Sequence, residues 1–240
     1  MKGFILAAGL GTRLKPFTDF LPKAMFEAEG KTMLEHSLDH MRRYGIREVI
    51  INLHHFPDLI RDFLAKHNNF GMEITFSDET DGLLETGGGL KKAAWFFSGP
   101  DPFVVRNVDV LSDLDLKEMT RFHKNNGVLA TLAVRERMTS RYLLFDDQWT
   151  LCGWENRRTG ERKVVRQTVK LIPRAFSGIQ VLSPEILPLI TETGKFSLVD
   201  MYLRLAPGVR IKGYSDQSAI WKDFGKAELT DATDHVTETE

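Results

Sequence analysis

The first residues that could do chemistry stand where a short apolar run ends. Phe4–Ala8 is a strand candidate, and Gly9-Leu10-Gly11-Thr12-Arg13-Leu14 follows it directly. Two glycines there let the backbone turn tightly and bring N–H groups close to a ligand, and such N–H concavities hold anions. Arg13 comes two residues after Gly11, and Lys23 lies ten residues further on, immediately after Pro22. The stretch between them has two prolines and no helical period, so it reads as a stiffened loop carrying a cation at each end. Two solvated surface charges fit the same spacing. A dinucleotide fingerprint of the G-x-G-x-x-G kind does not fit: Leu14 occupies the third glycine's place. The second strand candidate also ends Ile51-Asn52-Leu53-His54, without a carboxylate for a ribose. A Walker loop fails as well, because no GK[ST] follows.

Carboxylates come later. Asp109 follows the strand candidate Phe103–Asn107, and Asp223 follows the late strand candidate Ala219–Trp221. Asp109 reads either as a ligand for a hard cation or as a turn residue, with Asp113 and Asp115 nearby. Thr86-Gly87-Gly88-Gly89 suits a helix N-terminus or a close approach to a flat ring. No Ser/His/Asp or Cys/His constellation stands out. His36, His54, His55 and His123 lack ligand spacing, and His123 is expected on an exposed helix face, whereas Met33, Met41, Met72 and Met119 sit at core-like positions.

The elements that must hold these residues alternate regularly in the first half. Strands are expected at Phe4–Ala8, Glu48–Leu53, Met72–Phe76, Phe103–Asn107 and Val128–Val134. Helices are expected over 32–44, from Pro57, over Gly88–Phe97 and over Asp115–Asn126. That succession predicts a parallel, doubly wound sheet covered by helices. After about residue 140 the pattern changes. Tyr142–Phe145 and Trp149–Trp154 around Asp146-Asp147 read as a hairpin, with strands at Arg162–Lys170 and Phe176–Leu182. Helices follow at Pro184–Glu192 and Ser197–Leu205, then strands at Val209–Tyr214 and Ala219–Trp221. No Pro- or Gly-rich linker intervenes. One domain over 1–230 is expected, with a first half at about 1–140, a second half at about 141–230 that decorates the sheet, and a flexible tail at 231–240.

Composition narrows the classes. The chain has 240 residues, 42% hydrophobic and 27% charged, with 32 Lys+Arg against 33 Asp+Glu. A net charge of −1 supplies no global field for nucleic acid or membrane surfaces, so neither partner is expected. The single cysteine, Cys152, excludes an internal disulfide framework and fits a reducing compartment. The apolar run after Met1 is too short for a signal core or a membrane span, so a cytoplasmic location is expected.

The run Gly9-x-Gly11-Thr12-Arg13-Leu14-x-Pro16-x-Thr18-x-x-x-Pro22-Lys23 resembles the signature of the sugar-1-phosphate nucleotidylyltransferases. The resemblance continues at Lys31–His36, Leu84–Gly89, Asn107-Val108-Asp109 and Trp221–Gly225, and so spans about residues 2–229. Within the family the chain is similar to short bacterial forms such as the N-acetylmuramate-1-phosphate uridylyltransferases. The resemblance implies a Rossmann-like, doubly wound, mixed and mostly parallel sheet with helices on both faces, of the nucleotide-diphospho-sugar transferase type. It implies a Mg²⁺-dependent transfer of a nucleotidyl group from a nucleoside triphosphate, UTP favoured, to a sugar 1-phosphate, with release of pyrophosphate. A CTP-dependent enzyme for a phosphorylated alcohol such as phosphocholine is the alternative within the family, and a non-catalytic nucleotide-sugar sensor the alternative outside catalysis. A homo-oligomer is compatible with the sequence.

By the same resemblance Arg13 and Lys23 are the catalytic cations, and Asp109 and Asp223 hold the metal. Ala8, Gly9, Gly11, Thr12, Arg13, Glu85, Thr86, Gly88 and Asn107 bind the nucleotide, with Glu85 reading a base edge or acting as a first-turn helix acid. Glu155 and Arg157 are the sugar-phosphate candidates. The sequence departs from the family pattern twice. The hairpin runs Gly153-Trp154-Glu155-Asn156-Arg157-Arg158 without the usual Lys-Pro, and Val108 replaces the usual Gly or Ala beside the expected ribose and metal site.

Overall fold

The computed structural model describes residues 1–225, so the tail expected at 231–240 and the last residues of the expected domain lie outside the described residues. β1 (Gly3–Leu6) is buried throughout and feeds opposite faces of the sheet in alternation: Ile5 enters one apolar cluster, Phe4 and Leu6 the other. A loop of three 3₁₀ turns follows, at Thr12–Leu14, Phe17–Asp19 and Lys23–Met25, where the sequence suggests only an irregular segment. A two-residue pairing of β2 (Glu27–Ala28) with β3 (Lys31–Thr32) leads into α1 (Met33–Arg43). Thr32 caps α1 by accepting the Glu35 amide at 3.1 Å, and Gly45, at φ 77°, lets the chain leave. Next come β4 (Glu48–Leu53), α2 (Pro57–Lys66) with proline in its first turn, β5 (Glu73–Asp78) and α3 (Glu85–Ala93). β6 (Phe103–Asn107), a short β7 (Val110–Ser112) and α4 (Leu116–Asn126), capped by Asp115, complete the alternating half.

β8 (Ala130–Arg135) leads to the hairpin of β9 (Arg141–Phe145) and β10 (Leu151–Asn156), whose turn is held by Asp146 Oδ1 accepting the amides of Gln148 and Thr150. β11 (Glu161–Val164), β12 (Ile172–Leu182), α5 (Leu198–Leu205), β13 (Ile211–Ser215) and β14 (Trp221–Asp223) follow.

The main sheet runs β11-β10-β9-β12-β6-β1-β4-β5, with β8 paired to β12 and β13 to β8. Strands β6, β1, β4 and β5 are mutually parallel, and β12 is antiparallel to β6. α1, α2 and α4 cover one face through Leu34, Leu38, Ile60, Leu64 and Met119; α3 and α5 cover the other through Leu90, Met201 and Tyr202. This is the mixed, doubly wound sheet with helices on both faces that the sequence predicts. The later half does more than decorate it. The 11-residue β12 bonds directly to β6 and also pairs with β8 and β9, tying the two halves into one sheet.

Several boundaries differ for local reasons. The segment expected as a helix at Pro184–Glu192 is a 3₁₀ helix ending at Leu189, because Pro188 inside it has no N–H to give. α3 starts at Glu85, three residues before its expected beginning at Gly88. The strand expected over Arg162–Lys170 stops at Val164. The last strand is Trp221–Asp223, so Asp223 belongs to it and does not follow it. His123 is buried, against expectation: it shares the stripe of Leu116 and Met119 on α4, and its ring nitrogens meet Thr131 Oγ1 at 2.9 Å and Ser183 Oγ at 2.8 Å. Among the described residues no helix is long and apolar enough to cross a membrane.

Candidate active site

Three parallel strands end side by side, in a register that places Leu6 between Asn52 of β4 and Asn107 of β6. Open α/β sheets take their ligands at this carboxyl edge. Asn52 is buried and accepts the amides of Ala7 and Ala8 at 2.7 and 3.3 Å, while its Nδ2 donates to the buried Glu79 at 2.8 Å. The chain therefore leaves β1 in a fixed direction.

Gly11 then adopts φ 59°, and a Cβ there would fall 2.6 Å from Thr18 Cγ2, so glycine is required on two counts. Thr18, itself buried, donates its hydroxyl to the Gly11 carbonyl at 3.1 Å. Among the described residues the amides of Gly9, Leu10, Gly11 and Thr12 donate to no protein acceptor, and this stretch lies at or near the surface. Amides left free in this way are able to hold an anion, as the glycines suggest.

Lys23, fixed after Pro22, forms an ion pair with Asp109, which sits in the turn between β6 and β7. Both side chains are 12% exposed. β14 pairs with β7 so that Asp223 lies opposite Val110, and the Phe224 amide donates to the Asp109 carbonyl at 2.9 Å. Gly225 completes the constellation. A Cβ at Gly225 would stand 2.7 Å from Asp109 Oδ2, 2.8 Å from Asp223 Oδ1 and 3.0 Å from Lys23 Nζ. Two carboxylates and one ammonium thus converge on a single point that only glycine leaves open.

A closed cage of three or more His, Cys, Asp or Glu is absent among the described residues. Mg²⁺ does not need one, since it commonly takes one or two carboxylates together with phosphates and waters. The Asp109–Asp223 pair fits that donor set.

Two cavities meet here. One, of about 510 Å³, is bordered by Ala8, Gly9, Lys23, Glu85 and Thr86; the other, of about 730 Å³, by Arg13, Asp223, Trp154 and Trp221. Asn107 and Asp109 border both. Residues 13, 23, 109 and 223 therefore line two adjoining cavities that share Asp109 as a wall, together a cleft at this edge. Gly11 and Thr12 line neither cavity. Glu85 opens α3 at φ 59°, an uncommon value for a side-chain-bearing residue, with Lys195 at 3.6 Å. It is both a first-turn acid and a cavity residue, so the geometry is consistent with either expected role.

Not every expected residue reaches the cleft. Gly87 and Gly88 give their amides to the Phe196 carbonyl, and a Cβ on Gly88 would strike the Gly194 carbonyl, so this glycine run packs against the segment before α5. Thr86 Oγ1 accepts the Leu198 amide at 3.0 Å. Glu155 pairs with Arg157 at 2.8 Å and Arg162 at 3.8 Å, and neither Glu155 nor Arg157 borders a cavity. Alternation along β10 explains this: Trp154 faces the cleft, so its neighbour faces away. Val108 belongs to the same apolar cluster as Leu34 and Leu38 and also borders the first cavity.

Sequence reasoning missed a set of cations. Arg137, Arg141 and Arg158 line the larger cavity, and none has a carboxylate within ion-pair distance among the described residues. Arg137 lies 4.4 Å from the Trp221 ring centroid and donates to the Phe176 carbonyl at 3.2 Å; burial pulls its pKa down, and the neighbouring Asp223 opposes that. The available signal was their place at or just beyond strand ends: Arg137 after β8, Arg141 at the start of β9 and Arg158 after β10.

A family profile described as "Nucleotidyl transferase" matches residues 2–142. The chain is 31% identical to a mannose-1-phosphate guanyltransferase of Yarrowia lipolytica, with 94% of this chain and 61% of the relative covered. It is also 31% identical to the N-acetylmuramate alpha-1-phosphate uridylyltransferase of Caulobacter vibrioides, over 92% and 90% of the two chains. The crystal structure of HddC from Yersinia pseudotuberculosis superposes with a TM-score of 0.76 at 26% identity, covering 95% of each chain. The chain thus spans about 60% of the length of the Yarrowia relative.

Proposed function

Because the chain belongs to the nucleotidyl transferase family, we propose that it moves a nucleotidyl group from a nucleoside triphosphate to a sugar 1-phosphate and releases pyrophosphate. A phosphate oxygen of the sugar attacks the α-phosphorus in line. The bond from that phosphorus to the bridging oxygen breaks, and the electron pair leaves with pyrophosphate. The second pKa of a phosphate monoester is about 6, so the nucleophile is ionised at neutral pH and needs no general base. The barrier is the meeting of two polyanions, which positioning and cationic neutralisation lower.

The observation that carries this reading is the convergence of Lys23, Asp109 and Asp223 on the open point at Gly225. The amides of Gly9 to Thr12 cradle the triphosphate, with Ala8 and Asn107 beside it. Lys23 gives one N–H to Asp109 and keeps two for phosphate oxygens at the reacting centre. Arg13 neutralises the leaving pyrophosphate. Asp109 and Asp223 hold the divalent cation, which when bound supplies charge neutralisation at the phosphates. Glu85 and Thr86 flank the nucleobase end. Arg141 and Arg158, in place of Glu155 and Arg157, take the acceptor's phosphate, and Trp154 and Trp221 flank its sugar.

UTP is the favoured donor, supported by the uridylyl relative matched over nine-tenths of its length. GTP is the second, supported by an equally similar guanyl relative. Pyrophosphate release measured with UTP, GTP, CTP and dTTP against a panel of sugar 1-phosphates and phosphocholine, with Mg²⁺ or with chelator, tests the reading. Mg²⁺-dependent release with UTP and a hexose or amino-sugar 1-phosphate is expected. Release only with CTP and phosphocholine would move the chain to the cytidylyl alternative, and release with none would leave a sensor.

A further inference from the structure

The most anomalous charge in the molecule takes no part in the mechanism above. Arg106, on β6, is 1% exposed, and among the described residues no carboxylate lies within ion-pair distance of it. Burying a cation that has no acidic partner is costly, and an aliphatic residue would suit an interior strand position. What the guanidinium does instead is bridge. One terminal nitrogen donates to His40 Nδ1 at 2.7 Å, another donates to the Val110 carbonyl, and Nε has no partner.

The bridge fixes the state of His40. Arginine only donates, so His40 Nδ1 must accept. The Leu114 carbonyl, 2.8 Å from His40 Nε2, only accepts, so Nε2 must carry the proton. His40 is therefore a neutral imidazole in one tautomer. Its pKa, pushed down to about 3 by burial and by the Arg106 charge, agrees. Ser37, three residues earlier on α1, is also buried and donates to the Val108 carbonyl at 3.3 Å.

Three carbonyls, those of Val108, Val110 and Leu114, are thus gripped from below by buried polar side chains. The segment they belong to carries Asp109. We propose that Arg106, braced by His40, is a positioning residue that sets Asp109 in place for the divalent cation, an inference that rests on the reading of Asp109 above. A guanidinium suits the task because its donors diverge, reaching a helix and a turn at once, and because its charge and that of Asp109 attract.

The test is Mn²⁺ binding, followed by electron paramagnetic resonance of the free ion, together with kcat, KM and thermal melting. Arg106→Leu is expected to weaken Mn²⁺ binding by about tenfold or more, within the range seen when outer-shell partners of metal ligands are lost, and to lower kcat more than it raises the nucleotide KM. Should Arg106→Leu fail to fold, Arg106→Lys keeps the charge but loses one arm of the bridge, and a weakening of at least threefold is expected. His40→Gln, which can still accept from Arg106 and donate to Leu114, should retain Mn²⁺ affinity within about twofold, whereas His40→Leu should lose it.

Nitrogen-15 NMR of the wild-type protein should show His40 neutral and protonated on Nε2 at pH 6; a charged His40, or the other tautomer, overturns the bridge. A folded Arg106 variant with wild-type Mn²⁺ affinity and kcat overturns the positioning role while leaving the proposed function intact. A wild-type protein that binds no Mn²⁺ overturns the reading of Asp109, and the positioning role with it.

Discussion

A methyl group at position 225 would lie within 3.0 Å of Asp109, Asp223 and Lys23 together, and two of these are the carboxylates proposed to hold the cation. Gly225→Ala should therefore cost turnover about two orders of magnitude, with a melting temperature within a few degrees of wild type. Pyrophosphate release and a thermal melt on the same preparation check this; activity within threefold of wild type would contradict it. Lys23→Ala should lose a comparable amount with the fold intact. The hairpin offers a sharper contrast. Glu155 is tied to Arg157 and Arg162 away from the cleft, so Glu155→Ala should change the acceptor KM less than about twofold. Arg158→Ala, which removes a cation from the cavity wall, should raise that KM about tenfold or more. Steady-state kinetics over an acceptor titration separates the two, and equal effects would count against the cavity assignment. Arg13 and Lys23 were legible as candidates beside a loop marked by glycines and prolines, and Asp109 and Asp223 only through the family resemblance of the motifs that carry them. Arg137, Arg141 and Arg158 were not, because an arginine in a loop or at a strand end carries no sign of which way it points.

The glycines of α3 show how an element can look like a binding loop and act as a packing surface. Gly87 and Gly88 lie against the chain at 194–196, whose carbonyls and Phe196 ring fill the space a side chain would need. Gly87→Ala should destabilise the fold by about 1–3 kcal/mol through overpacking, read from the midpoint of urea unfolding; an unchanged midpoint would show that Phe196 moves aside freely. Thr86 adds a bond by accepting the first amide of α5 on its hydroxyl oxygen, so α3 and α5 meet at this end. Periodicity located both helices, yet it could not reveal that one supplies the surface for the other. The same limit applies to β12, whose C-terminal end bonds to β6 across more than 70 positions of sequence. Its apolar alternation announces a strand and says nothing of its neighbour. At α4 the stripe of Leu116, Met119 and His123 follows helical spacing, so the burial of His123 was within reach of the pattern and was obscured only by the residue's polarity.

For the molecule as a whole, two buried imidazoles predict an acid-sensitive fold. Burial lowers His40 to about 3 and His123 to about 4, whereas both titrate near 6.5 when unfolded. Above pH 6.5 neither state binds the proton. Below it the unfolded chain does and the native one does not, so stability falls as pH drops from 6.5 toward 4. At pH 5 each histidine costs about 2 kcal/mol, and a drop in melting temperature on the order of 10 °C relative to pH 7 is expected. Glu79, raised by its burial, works in the opposite sense and trims the loss. Melts at pH 7 and pH 5 test this, and equal values would mean that the two rings are accessible to protons in the native state. The sequence by itself determined the alternating half of the sheet and offered the loop glycines, the cations and the carboxylates as candidates, because each stands in a motif of residues close together along the chain. Tertiary structure alone decided that β14 brings Asp223 beside Asp109, that the Glu155 pair faces away from the cleft, and that a buried arginine underlies the turn of Asp109. Strand partners and side-chain direction depend on register between distant segments, and no local pattern encodes that register.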